Sequence, residues 1–256
     1  MSTEINQQNL IERLFAAGAH FGFSKSRRHP SVKPYLFGSK QGTDIFDLEK
    51  TAAQIETAKS MLHAMGADGK KVLFVSTKDE TSKLVRAAAE SAEAPYVVNR
   101  WIGGLLTNWS EMKKRIDRLH ALTVEGESGE LERKYTKKER VMIGREIDKL
   151  TFNFGGVKAL NNIPNMLVVV DPRHDLIAVT EAHDSGLPVI GIMSSDNNTS
   201  NVSLPILIND ALQTSVKVVL DELIAAYKAG VATHVPKPAT PAKPVTRPRA
   251  TRTPRS

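Results

Sequence analysis

Four basic side chains near the amino end form the first cluster in this sequence whose types and spacing suit a specific chemistry. The four are Lys25, Arg27, Arg28 and Lys33. No acidic residue occurs between them and Asp44. Guanidinium groups match the geometry of phosphate oxygens, and ammonium groups attract phosphate as point charges. Because the surrounding glycines and prolines follow no period, we predict a loop over residues 18–34 that contacts phosphates.

Aromatic rings alternate with these charges, and they allow two interpretations. Phe21, Phe23 and His29 are spaced to stack on RNA bases or sugars between the phosphate contacts. The simpler interpretation is a solvated loop whose phenylalanines pack into the hydrophobic core. We favour phosphate contact for the arginines and core packing for the phenylalanines.

Other polar residues follow the predicted buried strands, where ligands bind in α/β proteins. An enzyme would use Lys78, Asp171 or His174 there, so a nucleotide- or sugar-binding enzyme is the alternative function. However, the sequence lacks the Gly-rich phosphate loops, the zinc-binding His-Glu-x-x-His and the Gly-x-Ser-x-Gly of serine hydrolases. It also has no cysteine, which excludes disulfides and thiolate chemistry. We therefore predict no catalytic residue, no cofactor and no metal site.

The distribution of charge indicates a polyanionic partner. The formal net charge is +7, but residues 231–256 contain six basic residues and no acid, which leaves +1 for residues 1–230. A basic surface on the folded part must therefore come from local clustering. Residues 231–256 also contain six prolines, and we predict a disordered tail there. Its Arg247, Arg249 and Arg252 are expected to add salt-sensitive affinity for RNA.

Neither a membrane span nor a secretory signal is predicted. The longest apolar run is shorter than the ~18 residues that a membrane-spanning helix needs. The first residues have no basic region followed by an apolar segment.

Apolar runs alternate with amphipathic segments and predict the elements that position these residues. The runs are continuous, as in strands buried on both faces of a parallel sheet. They cover residues 71–76, 96–98, 166–171, 187–192 and 204–208. Because helices are predicted between them, we expect a doubly wound, mostly parallel α/β sheet.

The remaining elements of this body are predicted from caps and local periods. Leu10, Ile11, Leu14 and Phe15 share one face of a helix over residues 8–17, and residues 35–48 predict a β-hairpin. Helix starts are predicted at Thr51 with Gln54, Thr77 with Glu80, Asp175 and Asn209. The last of these helices is expected to end at Gly230.

Residues 109–153 follow a different pattern, with apolar residues three and four positions apart and basic residues between them. The two seams are Trp109, Met112, Ile116, Leu119 and Ile143, Ile147, Leu150, Phe154. We predict an antiparallel coiled-coil hairpin with arms of ~22–25 Å. Its predicted caps are Asn108 with Glu111 and Thr136 with Glu139, around a turn at residues 125–130. Its cations suited to contact with RNA or adjoining proteins are Lys113, Lys114, Arg115, Lys137 and Lys138.

The stretch Asn99–Trp109 joins the body to this hairpin and contains both tryptophans of the chain. We expect Trp101 and Trp109 to lock the root of the hairpin to the body rather than to stack on bases. Arg100 is compatible with either role. The predicted domains are the α/β body at residues 1–108 and 154–230, the hairpin at residues 109–153 and the tail at residues 231–256.

Short motifs along most of the chain give it a resemblance to a known family. In order, they are Gly18-Ala-His-Phe-Gly, Arg28, Lys33-Pro-Tyr-Leu-Phe-Gly, Ile45-Phe-Asp-Leu-Glu-Lys-Thr, Val72-Leu-Phe-Val, Asn99-Arg-Trp-Ile-Gly-Gly-Leu-Leu-Thr-Asn, Thr136-Lys-Lys-Glu, Asn153-Phe-Gly-Gly and a spaced pattern from Pro164 to Pro188. Each motif alone is weak, but their order is specific. Over about residues 8–228 the chain resembles the bacterial small-subunit ribosomal protein S-two family.

The resemblance implies a flavodoxin-like body with a protruding coiled-coil hairpin, placed between the head and the body of the small subunit in a cytoplasmic or organellar ribosome. It implies binding to small-subunit rRNA and to neighbouring ribosomal proteins, including ribosomal protein S-one in many bacteria. It implies no catalysis, no membrane and no homo-oligomer. Combined with the charge pattern, the expected RNA-binding residues are Lys25, Arg27, Arg28, Lys33, Lys40, Arg100, Lys113, Lys114, Arg115, Lys137, Lys138, Arg247, Arg249 and Arg252.

The chain departs from the family pattern at several loops. Phe23 stands where the family usually has histidine, and Asp79 replaces an arginine, which removes a positive charge near a strand end. The loops at residues 194–198 and 208–211 also differ. Contacts that the family makes through these positions are therefore not carried over to this chain.

Overall fold

A computed structural model describes residues 2–234 of the chain, with side chains at residues 8–129 and 131–234. The predicted tail arginines Arg247, Arg249 and Arg252 lie outside the described residues, so their RNA contacts stay predictions. The last helix extends three residues beyond the predicted end, to Thr233.

Eight strands form two separate sheets. Their bounds are β1 Phe21–Ser24, β2 Leu36–Lys40, β3 Thr43–Phe46, β4 Val72–Val75, β5 Tyr96–Val97, β6 Met166–Val170, β7 Val189–Met193 and β8 Leu204–Leu207. The larger sheet has the order β5-β4-β6-β7-β8, and all four pairings are parallel. Numbered within this sheet, the order is 2-1-3-4-5, which is the order of flavodoxin-like doubly wound folds. The predicted parallel sheet is confirmed.

Eight α-helices surround these sheets in the described part of the chain. Their bounds are α1 Ser2–Ala16, α2 Leu48–Ala67, α3 Asp79–Ser91, α4 Trp109–Glu127, α5 Glu130–Lys134, α6 Lys137–Phe154, α7 Leu176–Asp184 and α8 Gln213–Thr233. Short 3-10 helices lie between these elements at residues 30–35, 155–157 and 199–201.

The three central strands of the parallel sheet, β4, β6 and β7, are buried on both faces because they contain only apolar residues and one glycine. Met166, Val168 and Val170 of β6 point to one cluster, and Leu167 and Val169 point to the other. Helices α1, α2, α3 and α8 cover the first face. Helix α7 and parts of α4 and α6 cover the second face. The result is the three-layer arrangement expected of a doubly wound sheet.

Two glycines let α2 and α8 pack with their backbones in contact. A Cβ atom on Gly66 would lie 2.6 Å from the carbonyl oxygen of Tyr227. A Cβ atom on Gly230 would overlap the carbonyl oxygen of His63. Any larger side chain at these positions must therefore push the two helices apart.

The predicted loop at residues 18–34 is wrong in part, because β1 lies within it. β1 and β2 both pair antiparallel with β3 in a small three-stranded sheet. Core packing is also wrong for Phe21, which is 49% exposed, and Phe15 is 62% exposed although its spacing placed it on the buried face of α1. The Phe15 ring instead stacks on His20 with the centroids 4.5 Å apart, and the Phe21 ring contacts His20 in a tilted arrangement with the centroids 4.0 Å apart.

Three of the six predicted helix caps, Asn108, Thr136 and Asp175, lie at the N-cap position, whereas Thr51, Thr77 and Asn209 do not. α2 begins three residues earlier than expected, where the Asp47 carboxylate accepts hydrogen bonds from two backbone amides of the first turn. Thr77, Asn108 and Asn209 make no capping hydrogen bond to the helices that follow them. The pair of Thr136 and Glu139 does form the predicted capping box of α6.

Helices α4 and α6 pack against each other, joined by the short α5. Met112 and Ile116 in the first half of α4 share a core cluster with Leu150 and Phe154 at the end of α6. The start of α4 therefore lies beside the end of α6. With 19 residues, α4 is about 28 Å long. The chain turns at residues 128–129, within the predicted turn, and α5 follows.

Candidate nucleic-acid interface

The small sheet brings together basic residues that are far apart in the sequence. Thr43 at the start of β3 is paired with Ser24 on one side and with Lys40 on the other. The backbone amide of Lys25 also donates to the carbonyl of Gly42, at 2.9 Å. Because neighbouring strands are about 4.8 Å apart, Lys25 and Lys40 are held at the same end of this sheet.

Four exposed cations, which we call the small-sheet cations, are carried by this sheet and the turns beside it. They are Lys25, Arg27, Lys33 and Lys40. The guanidinium of Arg27 lies 6.0 Å from the centre of the Phe23 ring, a spacing that allows a cation–π contact. Phe37 of β2 is 80% exposed between Lys33 and Lys40. We did not predict Phe37, although an exposed ring beside cations is typical of surfaces that stack on unpaired bases.

Within the described residues Arg28 forms an ion pair, unlike the small-sheet cations. Its Nη1 atom donates to Oδ1 of Asp44 at 3.2 Å, and Asp44 is fully buried. The other oxygen of Asp44 has no hydrogen-bond partner among the described residues, so the arginine is the counter-charge of a buried carboxylate. The predicted phosphate contact of Arg28 stays a prediction.

The predicted cations of α4 differ in how far they are engaged within the protein. Lys113 pairs with Asp117 at 3.2 Å, and Lys114 pairs with Glu111 at 2.5 Å. Arg115 is exposed on the same helix. Exposed pairs one turn apart exchange partners easily, because each contributes little to stability.

Lys137 and Lys138 are the first two residues of α6, and both are exposed. A helix amino terminus carries a partial positive charge, so two lysines there are electrostatically unfavourable for the helix. Arg133 and Lys134 end the preceding α5. Binding of an anionic partner would explain why Lys137 and Lys138 stand where they destabilise the helix.

The junction between β5 and α4 holds Arg100 on the surface and buries the next residue. Arg100 is exposed, whereas Trp101 is 8% exposed and belongs to the core cluster beneath α4. Trp109 packs against the same cluster. The prediction that the tryptophans pack at the root of the hairpin is confirmed.

Glu181 of α7 holds this junction and was not predicted from the sequence. Its carboxylate accepts hydrogen bonds from the Trp101 indole at 3.1 Å and from the amides of Gly104 and Leu106 at 2.8 and 3.0 Å. Burial acts to raise the pKa of Glu181, but these bonds outweigh it and lower the pKa. The sequence feature that could have indicated this role is an acidic residue on the apolar face of α7, which also carries Ala178 and Ala182.

Several polar residues at the carboxyl ends of the strands bind one another. The Thr77 hydroxyl donates to Asp175 at 2.6 Å, and Lys78 pairs with Asp171 at 3.2 Å. Burial raises the pKa of Asp175 despite these hydrogen bonds. Of the three residues that an enzyme would use, Lys78 and Asp171 are thus paired with each other, whereas the His174 side chain is exposed.

The amino-terminal segment covers the same edge of the parallel sheet. The backbone amide of Phe23 donates to the Ser195 hydroxyl at 2.8 Å, and the amide of His29 donates to the Ser195 carbonyl at 2.8 Å. A Cβ atom on Gly22 would lie 3.0 Å from the same hydroxyl. The amino-terminal segment thus covers the carboxyl end of β7, where a ligand would bind in an α/β enzyme.

Asp210 is a buried carboxylate beside this edge. Both of its oxygens lack a hydrogen-bond partner among the described residues. Burial raises the pKa of Asp210 to about 7, the charge of Asp171 adds to the effect, and Lys78 opposes it. Asp210 is therefore half protonated near neutral pH in the folded protein.

The described residues contain neither a metal site nor a membrane span. Among the side chains of residues 8–129 and 131–234, no three histidines, aspartates or glutamates are grouped so that they could hold a metal ion. None of the helices in that range is long and apolar enough to cross a membrane.

Comparison with known proteins gives a family match over most of the chain. Residues 14–230 match the family described as "Ribosomal protein S2". Curated relatives named "Small ribosomal subunit protein uS2" include one from Picosynechococcus sp., 36% identical over 220 residues, or 86% of this chain and 86% of the relative. The relative from Psychromonas ingrahamii is 37% identical, covering 85% and 88% of the two chains. The relative from Mesoplasma florum is 38% identical, covering 86% and 82%.

Proposed function

Because this chain belongs to the ribosomal protein S2 family and is a structural protein of the small ribosomal subunit, we propose that it binds small-subunit rRNA through two groups of exposed cations. The observation that carries this proposal is the family match over residues 14–230, which includes the body and helices α4 to α6. The protein acts in the ribosome of the cytoplasm.

The first RNA-binding group consists of the small-sheet cations. All four are exposed, and the β-sheet register holds Lys25 and Lys40 at one end of a rigid element. A rigid array of cations binds folded RNA with a smaller loss of conformational entropy than flexible side chains on a free loop. Arg28, beside this sheet, and Arg100, at the junction before α4, are further proposed RNA contacts.

The second group lies on a coiled-coil hairpin formed by residues 109–153. Lys137 and Lys138 are placed at the amino end of α6, where they weaken the helix in the free protein. Phosphates would remove this penalty on binding. Lys113, Lys114 and Arg115 provide further contacts along α4 to RNA or to adjoining ribosomal proteins.

The proposed assembly has three parts. The body at residues 1–108 and 154–230 lies between the head and the body of the small subunit, and the hairpin reaches away from it. Neighbouring ribosomal proteins, including ribosomal protein S-one, are partners, and the tail arginines Arg247, Arg249 and Arg252 add sequence-independent affinity for RNA. In this proposal the protein acts without catalysis, cofactor, membrane or homo-oligomer, as its family match to a structural ribosomal protein supports.

Sedimentation and salt titration test this proposal together. The tagged full-length protein should migrate with small subunits in a sucrose gradient. Replacing the four small-sheet cations with alanine should weaken binding to small-subunit rRNA and reduce the slope of log affinity against log salt by roughly 0.7–0.9 per lost phosphate contact.

A matched control uses three exposed lysines on α3 and α8, Lys83, Lys217 and Lys228. Their replacement with alanine removes a similar charge from a different surface, and it should leave the slope nearly unchanged. Recovery of the wild-type protein only in ribosome-free fractions would refute the ribosomal role. Equal slopes for the two variants would refute the assignment of the small-sheet cations.

A further inference from the structure

A single buried carboxylate holds the segment that connects the body to α4. Glu181 is 7% exposed and receives hydrogen bonds from residues spread over seven positions of that segment. The donors are the Trp101 indole at 3.1 Å, the Gly104 amide at 2.8 Å, the Leu106 amide at 3.0 Å, and the Thr107 amide and hydroxyl at 3.4 Å each.

The segment has no regular structure of its own, so these bonds decide its shape. Gly104 has a φ of +88°, a conformation that side-chain-bearing residues rarely adopt. The Asn108 amide then donates to the Gly104 carbonyl at 2.8 Å, and α4 begins at the next residue. The direction of α4 is therefore set within two residues of the last bond to Glu181.

The return connection, after α6, is fixed by packing against β5. The Asn99 side-chain amide donates to the Phe152 carbonyl at 2.7 Å. A Cβ atom on Gly156 would overlap the carbonyl oxygen of Tyr96, so this approach requires glycine. The start of α4 and the end of α6 also pack in the core cluster on the second face of the sheet, and the hydrogen bonds at Glu181 act together with that packing to hold the two helices.

No cation neutralises this carboxylate in the described part of the chain. The ion pairs found there involve other acids, and the donors to Glu181 are an indole, backbone amides and one hydroxyl. A buried negative charge surrounded only by N–H and O–H dipoles is stable only while those dipoles converge on it. The charge and the shape of the connecting segment therefore depend on each other.

We infer that Glu181 is a positioning residue, which fixes the direction in which α4 and α6 leave the body and so places Lys137 and Lys138 for binding. The RNA part of this inference rests on the proposed function, whereas the positioning part concerns the free protein. Glu181 itself contacts no RNA, because it is buried beneath the junction.

The positioning part is tested by a distance measurement in the full chain. The protein has no cysteine, so spin labels attach only where cysteine is introduced, at Glu127→Cys on the end of α4 and Lys217→Cys on α8. With Glu181 intact, the label–label distance distribution should be narrow. It should broaden or shift with Glu181→Gln, which loses one acceptor oxygen, and more strongly with Glu181→Ala.

The matched control is Glu222→Gln on α8. Glu222 is also a partly buried glutamate that accepts hydrogen bonds, but its partners are Arg13 and Lys59, away from the hairpin. This variant should leave the distance distribution unchanged. If Glu181→Ala fails to fold, Glu181→Gln decides the question. An unchanged distribution in a folded Glu181 variant overturns the inference.

The coupling to RNA is tested by a double-mutant cycle. Glu181→Gln should weaken binding to small-subunit rRNA by about tenfold, and the loss should vanish when Lys137 and Lys138 are already alanine. An equal loss in both backgrounds would show that Glu181 does not act through these lysines. If the lysine variant alone binds RNA normally, the proposed RNA function of the hairpin fails, while the distance measurement still decides the positioning role.

Discussion

Replacing Asp210 with asparagine should change how the stability of the protein depends on pH. The carboxyl group is fully buried, its oxygens lack partners among the described residues, and its pKa is raised to about 7 from an ordinary 3.8. In the unfolded chain the group loses its proton near its ordinary pKa. Folding therefore requires Asp210 to take up a proton at intermediate pH.

The sign of the effect follows from this proton uptake. An acid whose folded pKa is raised leaves stability unaffected below its unfolded pKa, near pH 4. It then destabilises the fold progressively as pH rises, until the folded pKa near 7 is passed. The difference of about three pKa units corresponds to about 4 kcal/mol at full ionisation, which is an upper bound because the site relaxes when it becomes charged.

Asparagine has nearly the same size and cannot ionise. Urea unfolding followed by circular dichroism, from pH 5 to pH 8, gives the free energy of unfolding for both proteins. The variant's advantage over the wild type should grow with pH, by up to about 1.4 kcal/mol per pH unit, and level off above pH 7. The test is how the difference in free energy of unfolding changes with pH, and not its size at one pH. The buried asparagine amide leaves unpaired N–H donors, whose cost is the same at every pH.

Asp221→Asn is the matched control, since Asp221 is an exposed aspartate on α8. Its stability difference from the wild type should stay nearly constant with pH. A constant difference for Asp210→Asn as well would refute the reasoning, because Asp210 would then be ionised in the folded protein at little cost.

Three further predictions concern helix charge, helix packing and the tail. Replacing Lys137 and Lys138 with alanine should raise the free energy of unfolding at low salt by about 0.3 kcal/mol each while weakening RNA binding; a drop in both would contradict the assignment. Gly230→Ala should lower the free energy of unfolding, measured by urea unfolding, by about 1–3 kcal/mol, because the new methyl group meets the α2 backbone. Gly144→Ala in α6, where a Cβ has open space, should instead stabilise by about 0.5–1 kcal/mol, and equal effects would argue against the close contact. Deleting residues 236–256 should flatten the salt dependence of RNA binding with little change in melting temperature; an unchanged slope would remove the tail from the interface.

Local placement of charge matters more for this protein than its total charge. Residues 1–230 carry a formal net charge of only +1, yet the small-sheet cations face solvent together. Arg28, the nearest basic neighbour, is paired with a buried carboxylate. A surface can thus attract phosphate over one face while the rest of the protein is nearly neutral.

The parallel sheet, its helical layers and the capping box at Thr136 and Glu139 could be predicted from local sequence patterns. These features depend on periods and pairs only a few residues apart, such as the continuous apolar runs of β4 and β6. Because such patterns are local, they can be recognised without knowledge of the fold. The packing of both tryptophans was predicted for the same reason, since large rings between apolar runs bury more favourably than they stack.

Only the tertiary structure decided which polar groups meet. Thr77 resembles a helix cap in sequence but donates to Asp175, 98 residues away, and Glu181 reaches back to the segment that starts at Trp101. The pairing of Arg28 with Asp44 likewise depends on β1 joining a sheet that its short, glycine-containing stretch did not predict. A polar side chain binds a partner that the folded backbone brings within about 3 Å. The separation of two residues in the sequence does not give that distance.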